Sequence, residues 1–309
     1  MKSGAFIAGD WGTSNLRLFL LDARGNVLKE RQGPGAARVK GAFAIELSNL
    51  TASWVDELGS LPVILCGMVG SNLGWVLTRA LPCPVDVGQV ASACSTPATD
   101  VRIVPGLSCV NRFGATDYMR GEETQILGAL ALASSLRSGR RLVCLPGTHT
   151  KWAVVEAGKV LQFVSAPTGE LFKTLHDHSV LVRDSEGGAF ESEDFLRGVA
   201  ACNQHPQAPL LHRLFETRSR QLSGELSARQ AAGFLSGLLI ASDTAGGLEL
   251  AALAATQGPV AVVGAPALTS LYALSLASCG VEALELDGSR AVLAGLSAVQ
   301  RQFELEGAT

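Results

Sequence analysis

No uninterrupted apolar run in the 309 residues approaches the roughly 18 needed to span a bilayer, so no membrane partner is expected. The first apolar run, residues 5–9, is too short for the core of a secretion signal and stops at an acid, Asp10. Basic blocks are missing too. Lys and Arg total 25 against 28 Asp and Glu, a net charge of −3, which argues against a nucleic-acid partner. The seven cysteines never form a C-x-x-C pair and read as buried free thiols of a reducing, cytoplasmic compartment. There is no G-x-x-x-x-G-K-[ST], which excludes a P-loop, and no G-x-G-x-x-G after a strand, which argues against a Rossmann dinucleotide site. His176-Asp177-His178 has no third ligand in view and reads as surface. Asn49-Leu50-Thr51 is a glycosylation sequon that, without a secretion signal, carries no weight.

What is present is a chain with 47% hydrophobic and 17% charged residues, suited to a well-buried globular protein. Its length makes two domains the default. Residues 5–32, around "FIAGDWGTSNLRLFLLDARGNVLKE", read as strand, turn, strand, turn, strand. Phe43–Leu58 has a helical apolar spacing. Residues 62–66 and 101–105 read as strands, and 121–136 as a helix opening with two acids. Residues 141–167 repeat the three-strand pattern, with Gly147-Thr148 falling on Gly12-Thr13 at an offset of 135, a weak internal repeat. The polar segment 183–193 reads as a loop. Helices are expected over 195–202 and 227–243, then strand 260–263, helix 267–278, strand 283–286 and helix 289–303. Strands mixed with helices in both halves give an α/β fold.

Phosphoryl transfer needs donors around the phosphates, a carboxylate for Mg²⁺ and a base near the acceptor hydroxyl. The turn Gly12-Thr13-Ser14-Asn15 offers small residues, backbone N–H groups and hydroxyls. Asp10 precedes it, and its counterpart in the second copy is Leu145, so only the first copy could hold a metal by carboxylate. Arg17 could neutralise a transferred phosphate.

The segments "DWGTSNLRLFLLD", "CGMVGSNLGW", "VPGLS", "RGEETQILGAL", "LPGTHTKW" and "TGELF" occur in this order. Together they resemble the 2-dehydro-3-deoxygalactonokinase family, within the sugar kinase/heat-shock protein/actin superfamily. The resemblance implies two ribonuclease-H-like (actin-like ATPase) lobes with a cleft between them, here residues 1–135 and 136–309. It implies ATP and Mg²⁺, and phosphorylation of a 2-keto-3-deoxy sugar acid at its C6 hydroxyl in galactonate breakdown. By the same resemblance Glu122 is the expected base, with Glu123 beside it leaving the choice open, and Asp10 is the Mg²⁺ ligand. Gly12, Thr13, Ser14, Asn15, Arg17, Gly147, Thr148 and His149 are expected at the ATP phosphates, and Gly264 and Ala265 at the adenosine. Asn72 and Trp75 are expected at the sugar, with Arg38 or Arg120 for its carboxylate. No role follows for Thr168-Gly169-Glu170. The alternatives are an actin-like kinase for another sugar or sugar acid, and a non-metabolic ATP-driven switch. The sequence does not set the oligomeric state, and a homo-oligomer stays open.

Overall fold

Short apolar runs separated by tight turns fold the opening stretch into a meander. The structure, a computed structural model, describes residues 4–182 and 191–306. In it β1 (Phe6–Trp11), β2 (Asn15–Leu21) and β3 (Val27–Pro34) pair in antiparallel order. The turn after β2 is set by Asp22, whose carboxylate accepts the N–H groups of Arg24 and Asn26, each at 2.9 Å. The chain continues through α1 (Ala36–Val39), α2 (Phe43–Leu58), β4 (Val63–Cys66), β5 (Leu81–Pro82) and α3 (Val87–Ser92). Then follow β6 (Ser95–Ala98), β7 (Val101–Ile103), β8 (Leu107–Val110), β9 (Thr116–Met119) and α4 (Glu122–Leu132). Next come β10 (Arg140–Leu145), β11 (Thr150–Glu156), β12 (Lys159–Ala166), α5 (Thr168–His178), α6 (Ser192–Gln204), α7 (Leu210–Leu222) and α8 (Ala228–Leu253). The last elements are β13 (Val260–Gly264), α9 (Pro266–Ser278), β14 (Ala283–Asp287) and α10 (Gly288–Glu306).

The chain forms two compact units. One is Met1–Ser138 with Val155–Phe163 and Gly288–Thr309; the other is Gly139–Val154 with Val164–Asp287. The first break in the chain thus falls at 138/139, beside the expected 135/136, and α10 belongs with the first unit. The large sheet of the first unit runs β3-β2-β1-β4-β7-β6, with β1, β4 and β7 parallel. The second sheet runs β12-β11-β10-β13-β14, with β10, β13 and β14 parallel. Both therefore start with three consecutive strands and continue with parallel strands beside the first of them. That shared order gives the two ribonuclease-H-like units and the weak sequence repeat a common basis. A small third sheet, β5-β8-β9, was not legible in the sequence.

Helices cross at glycines in each unit. A Cβ on Gly128 of α4 would lie 1.7 Å from the Ala291 carbonyl of α10, and one on Gly295 would lie 2.0 Å from the Thr124 carbonyl. In the second unit Gly198 of α6 and Gly237 of α8 do the same, each 2.1 Å from the facing backbone carbonyl. Helix α2 buries Phe43, Leu47, Thr51 and Trp54, the face that its spacing assigns. Helix α8 opens with a capping box of Ser227 and Gln230. By length and composition it could cross a membrane, yet 72% of its most apolar stretch is buried, and it is the core helix of the second unit.

Several boundaries differ from expectation. The helix expected to run to 136 ends at Leu132, because Ala133 turns extended and a short 3₁₀ turn follows over Ser134–Arg137. The helix expected to stop at 243 runs on to Leu253. Of the segment expected as a loop, 183–190 lies outside the described residues, and Ser192 and Glu193 already open α6. The thiols are free, but only Cys66, Cys109 and Cys144 are buried and Cys279 is exposed. They are not uniformly buried as expected, because the other four lie on or near the surface of their elements.

Candidate active site

In the first unit, carboxylates gather at one end of β1 and β4. Asp10 pairs across the sheet with Cys66 on β4 and with Arg17 on β2. Its Oδ2 accepts from Arg17 Nη2 at 3.1 Å, and Arg17 Nη1 donates to Ser289 Oγ of α10 at 2.9 Å. The pair is about a third exposed, so its own stabilisation is small. Gly67 follows β4 at φ +90°, where a Cβ would approach both the Trp11 backbone and Asp10 Oδ1. Gly121 lies beside Gly67, where a Cβ would sit in ordinary contact at 3.6 Å from the Gly67 Cα; it is its φ of +104° that favours glycine. These two glycines bring the start of α4 up to the end of β1.

The acid pair opens α4, where the helix dipole favours negative charge. Glu122 is half-buried and its Oε2 accepts the Arg120 N–H at 3.0 Å. Glu123 is fully buried; its carboxyl accepts the Gly121 N–H at 2.6 Å and the Thr124 hydroxyl at 3.0 Å. Burial, with Glu122 beside it, pushes the Glu123 carboxyl up to about 8. Burial first, then the Asp10 and Glu123 carboxylates, raise the Cys66 thiol well above its usual range, so both acids act on one buried sulfur. A strongly shifted carboxyl among convergent acids is a recognised mark of a functional site.

The turn after β1 is braced from behind. The N–H groups of Ala36, Ala37 and Gly35 donate to the carbonyls of Gly12 (2.9 Å), Thr13 (3.2 Å) and Ser14 (3.2 Å). In a trans peptide the following N–H points opposite to the carbonyl. The N–H groups of Thr13, Ser14 and Asn15 are thereby aimed away from the brace, on the side where these three residues are exposed. Such a row of amides suits an anion. Gly35 is indispensable here, since a Cβ would lie 2.2 Å from the Ser14 carbonyl carbon.

The loop 67–78 is tied to itself by short-range bonds, among them Trp75 N–H to Val69 O at 2.8 Å and Ser71 Oγ to Met68 O at 2.8 Å. Asn72 is exposed at its tip. Trp75 is half-buried and stacks on Phe43 at 6.4 Å between centroids. Arg120 is docked on this loop: its guanidinium donates to the Thr78 hydroxyl and to the Thr78 carbonyl at 3.0 Å. Arg38 is exposed on α1, next to the residues that brace the first turn.

In the second unit, Gly147, Thr148 and His149 form the turn between β10 and β11, with Thr148 and His149 exposed. The Thr168-Gly169-Glu170 motif braces this turn as Gly35–Ala37 brace the first. The Glu170 N–H donates to the Thr148 carbonyl at 2.9 Å, and a Cβ on Gly169 would lie 2.4 Å from the Gly147 carbonyl oxygen. Gly35 and Gly169 are 134 positions apart, close to the 135 of the turns themselves. That spacing was the available signal for the motif's role. His149 Nε2 meets Glu170 Oε2 at 2.7 Å, an exposed pair.

Sequence reasoning missed Asp243. Its carboxylate accepts from Trp152 Nε1 at 2.8 Å, from Thr168 Oγ1 at 2.7 Å and from the Tyr272 hydroxyl, which also meets Thr150 Oγ1 at 2.8 Å. Thr168 and Tyr272 also line an apolar pocket of about 210 Å³ that includes Gly147, Leu239, Ile240 and Leu268. The expected helix contributes to it through Ser236, Leu239 and Ile240. Gly264 and Ala265 stand at the end of β13 and the cap of α9, and Gly264 lies beside Pro146 rather than in the pocket wall. Among the described residues no group of three or more His, Cys, Asp or Glu is arranged to hold a metal.

Known proteins are similar to this chain over nearly its whole length. The family of 2-keto-3-deoxy-galactonokinase matches residues 10–299. A relative from Rhizobium meliloti (strain 1021), named probable 2-dehydro-3-deoxygalactonokinase DgoK1, is 38% identical over 97% of both chains. The 2-dehydro-3-deoxygalactonokinase of Escherichia coli (strain K12) is 32% identical over 95% of this chain and 97% of its own. A crystal structure from Sinorhizobium meliloti, named as a candidate enzyme of the same kind, superposes with a TM-score of 0.87 at 36% identity, over 96% of this chain and 99% of that one. The acid-led helix, the two braced turns and the whole-chain match lead to one conclusion: the chain belongs to the 2-keto-3-deoxy-galactonokinase family of sugar-acid kinases.

Proposed function

We propose that this enzyme transfers the γ-phosphoryl group of ATP to the C6 hydroxyl of 2-dehydro-3-deoxygalactonate, in galactonate degradation in the cytoplasm. The observation that carries the reading is the acid pair at the start of α4, drawn up to Asp10 through Gly67 and Gly121 in a chain of this family. Glu122 is the base in this reading. It is the less buried of the two acids, and Glu123 is committed to Gly121 and Thr124. A base must reach the proton that it takes. Glu122 aligns the C6 hydroxyl and accepts its proton as the oxygen attacks the γ-phosphorus and the bond to the β-phosphate oxygen breaks. Alignment and charge neutralisation supply most of the rate.

The outward amides of Thr13, Ser14 and Asn15 serve as phosphate donors, with Arg17 close by. Asp10 is a single, partly exposed carboxylate at the edge of that turn, and this suits Mg²⁺, which takes one or two carboxylates alongside waters and phosphate oxygens. When bound there with ATP, Mg²⁺ supplies charge neutralisation on the phosphates. In the second unit Gly147, Thr148 and His149 are the other phosphate turn, and the apolar pocket of Leu239, Ile240 and Leu268 takes the adenine by shape and stacking. Asn72 is the hydroxyl contact and Trp75 a wall of the sugar site. Arg120 is engaged by Thr78, so Arg38 is the more available partner for the substrate carboxylate.

ADP release by the purified enzyme tests this against a panel of 2-dehydro-3-deoxygalactonate, its gluconate epimer, galactonate, glucose and glycerol, with the product's phosphate position read by ³¹P NMR. The keto-deoxy acid should be the preferred acceptor. Comparable turnover of glycerol or glucose with none of the keto acid would sink the assignment. ADP release independent of any acceptor would point to a switch protein instead.

A further inference from the structure

The apolar pocket of the second unit contains one polar side chain that the fold itself does not employ. Three of the residues that line it carry hydroxyls: Thr168, Ser236 and Tyr272. Two of these are taken. Thr168 and Tyr272 both donate to Asp243, and Tyr272 also meets Thr150 Oγ1. The Ser236 hydroxyl has no hydrogen-bond partner among the described residues, although the residue is only 6% exposed. A hydroxyl on a helix can return to a carbonyl of the preceding turn, as Thr51 does to Leu47 at 2.8 Å. Ser236 makes no such bond among the described residues, so its oxygen is left for whatever fills the pocket. A buried hydroxyl without a partner costs free energy that a ligand can restore.

Its place along α8 fits one part of a nucleotide. Ser236, Leu239 and Ile240 line the pocket at i, i+3 and i+4, and Asp243 follows at i+7, so all four share one face of the helix. Asp243 marks the end of the pocket at the β10–β11 turn. It holds Thr168, and the next residue, Gly169, abuts the Gly147 carbonyl of that turn. Ser236 lies seven residues before Asp243, about 10 Å back along the helix axis. That is comparable with the distance from the 5′ oxygen of a nucleoside to the far edge of its base. The side chains between the two ends, Leu239, Ile240, Leu268 and Leu271, are apolar. They pack on the faces of a base and offer its polar edge nothing. Ser236 stands where the Watson–Crick edge of a purine arrives when its phosphates lie at the turn.

We infer that the Ser236 hydroxyl reads the base, accepting a hydrogen bond from the 6-amino group of adenine, and so sets the choice of ATP over GTP. This rests on the placement of the adenine in the pocket, proposed above, and not on the identity of the acceptor. Adenine brings two polar groups to its far edge, the 6-amino group and N1. Guanine brings three, O6, N1–H and the 2-amino group, and one hydroxyl in an apolar wall leaves more of them buried and unpaired. A missing hydrogen-bond partner discriminates between ligands far more strongly than a difference in apolar fit.

Calorimetric titration of the purified enzyme, with Mg²⁺ and without any acceptor, tests the inference. The ligands are ATP, GTP and purine riboside triphosphate, which is ATP without the 6-amino group. Wild type should bind ATP roughly tenfold more tightly than either of the others. Ser236→Ala should weaken ATP to the level of purine riboside triphosphate and leave that nucleotide unchanged, since it has no amino group for the hydroxyl to meet. An equal loss for both nucleotides would overturn the inference, because a residue that only packs would act on both alike. ATP binding unchanged in Ser236→Ala would overturn it too. Ser236→Leu, which fills the pocket, separates the inference from the reading beneath it and should weaken all three ligands. If Leu weakens all three while Ala weakens none, the adenine lies in the pocket but Ser236 does not read it. If Leu leaves ATP binding unchanged, the base lies elsewhere and both fall.

Discussion

Glu123 gives this protein a pH-dependent weakness that Glu123→Gln should remove. Its carboxyl is pushed up to about 8, by burial first and by Glu122 second. In the unfolded chain a glutamate ionises near pH 4.3. Between about pH 4 and 8 the unfolded chain releases this proton while the native state keeps it. Stability therefore falls as pH rises, by about 1.4 kcal/mol per pH unit from this group. The contribution is intact below about pH 4 and is fully lost above about pH 8, a total on the order of 5 kcal/mol, with about 4 already lost near pH 7. Glutamine retains an acceptor for the Gly121 N–H and a partner for the Thr124 hydroxyl, but it does not titrate. The stability of the variant relative to wild type should thus grow steadily from pH 5 to pH 8 and level off above. Urea unfolding of both proteins at unit pH steps from 5 to 9 measures this directly. Parallel curves would refute the reasoning: Glu123 would then be charged in the native enzyme.

Other outcomes bear on the site. Glu122→Gln should lower kcat by roughly 10²–10⁴-fold, the range for loss of a general base, with titration of an ATP analogue little changed; a large kcat loss in Glu123→Gln alone would transfer the role to its neighbour. Asp10→Asn should abolish most turnover in a protein that still folds, and wild-type activity at saturating Mg²⁺ would remove its metal role. Gly169→Ala puts a Cβ 2.4 Å from the Gly147 oxygen and Gly35→Ala puts one 2.2 Å from the Ser14 carbonyl carbon. Each should displace its turn and raise the KM for ATP at least tenfold, and an unchanged KM in both would show that the braces do not shape the phosphate contacts.

Local patterns made most of the fold legible. Both meanders, the α2 face and the closing strand–helix units follow from short apolar runs, helical spacing and turn residues, which are properties of neighbouring positions. The small sheet β5-β8-β9 was not legible, because its strands are two to four residues long and too short to show a period. Nor was the end of α4 at Leu132, since Ala133 and the following serines carry no strong stop signal. At the site, Asp10, the turns and the acid pair stood out by residue type. Asp243 did not. It lies in the middle of a long apolar helix, and its partners Trp152, Thr168 and Tyr272 come from three distant segments, a convergence that only tertiary structure creates. The roles of Arg120 and Trp75 were blurred for a related reason: the same side chains that could meet a sugar also hold the loop through Thr78 and Phe43.

The repeat explains why the two units differ where they do. Each has the same strand order, a turn after its first strand and a glycine bracing that turn from behind at nearly the same offset. These shared features are backbone devices, and they need only small residues. The differences are side chains placed on that common frame. Position 10 is aspartate in the first copy and leucine, at 145, in the second. The first unit adds the acid pair of α4, whose approach depends on two glycines at positive φ. The second adds an apolar pocket and the Asp243 network that joins its wall to the braced turn. A single frame thus carries an acid pair in one copy and an apolar pocket in the other. Leu145 is buried, and the residue that matches Arg17 at the same offset is Trp152, which carries no charge, so a carboxylate at 145 would be buried without the counterpart that Asp10 has. Leu145→Asp should therefore unfold the second unit, which urea unfolding of the variant would show.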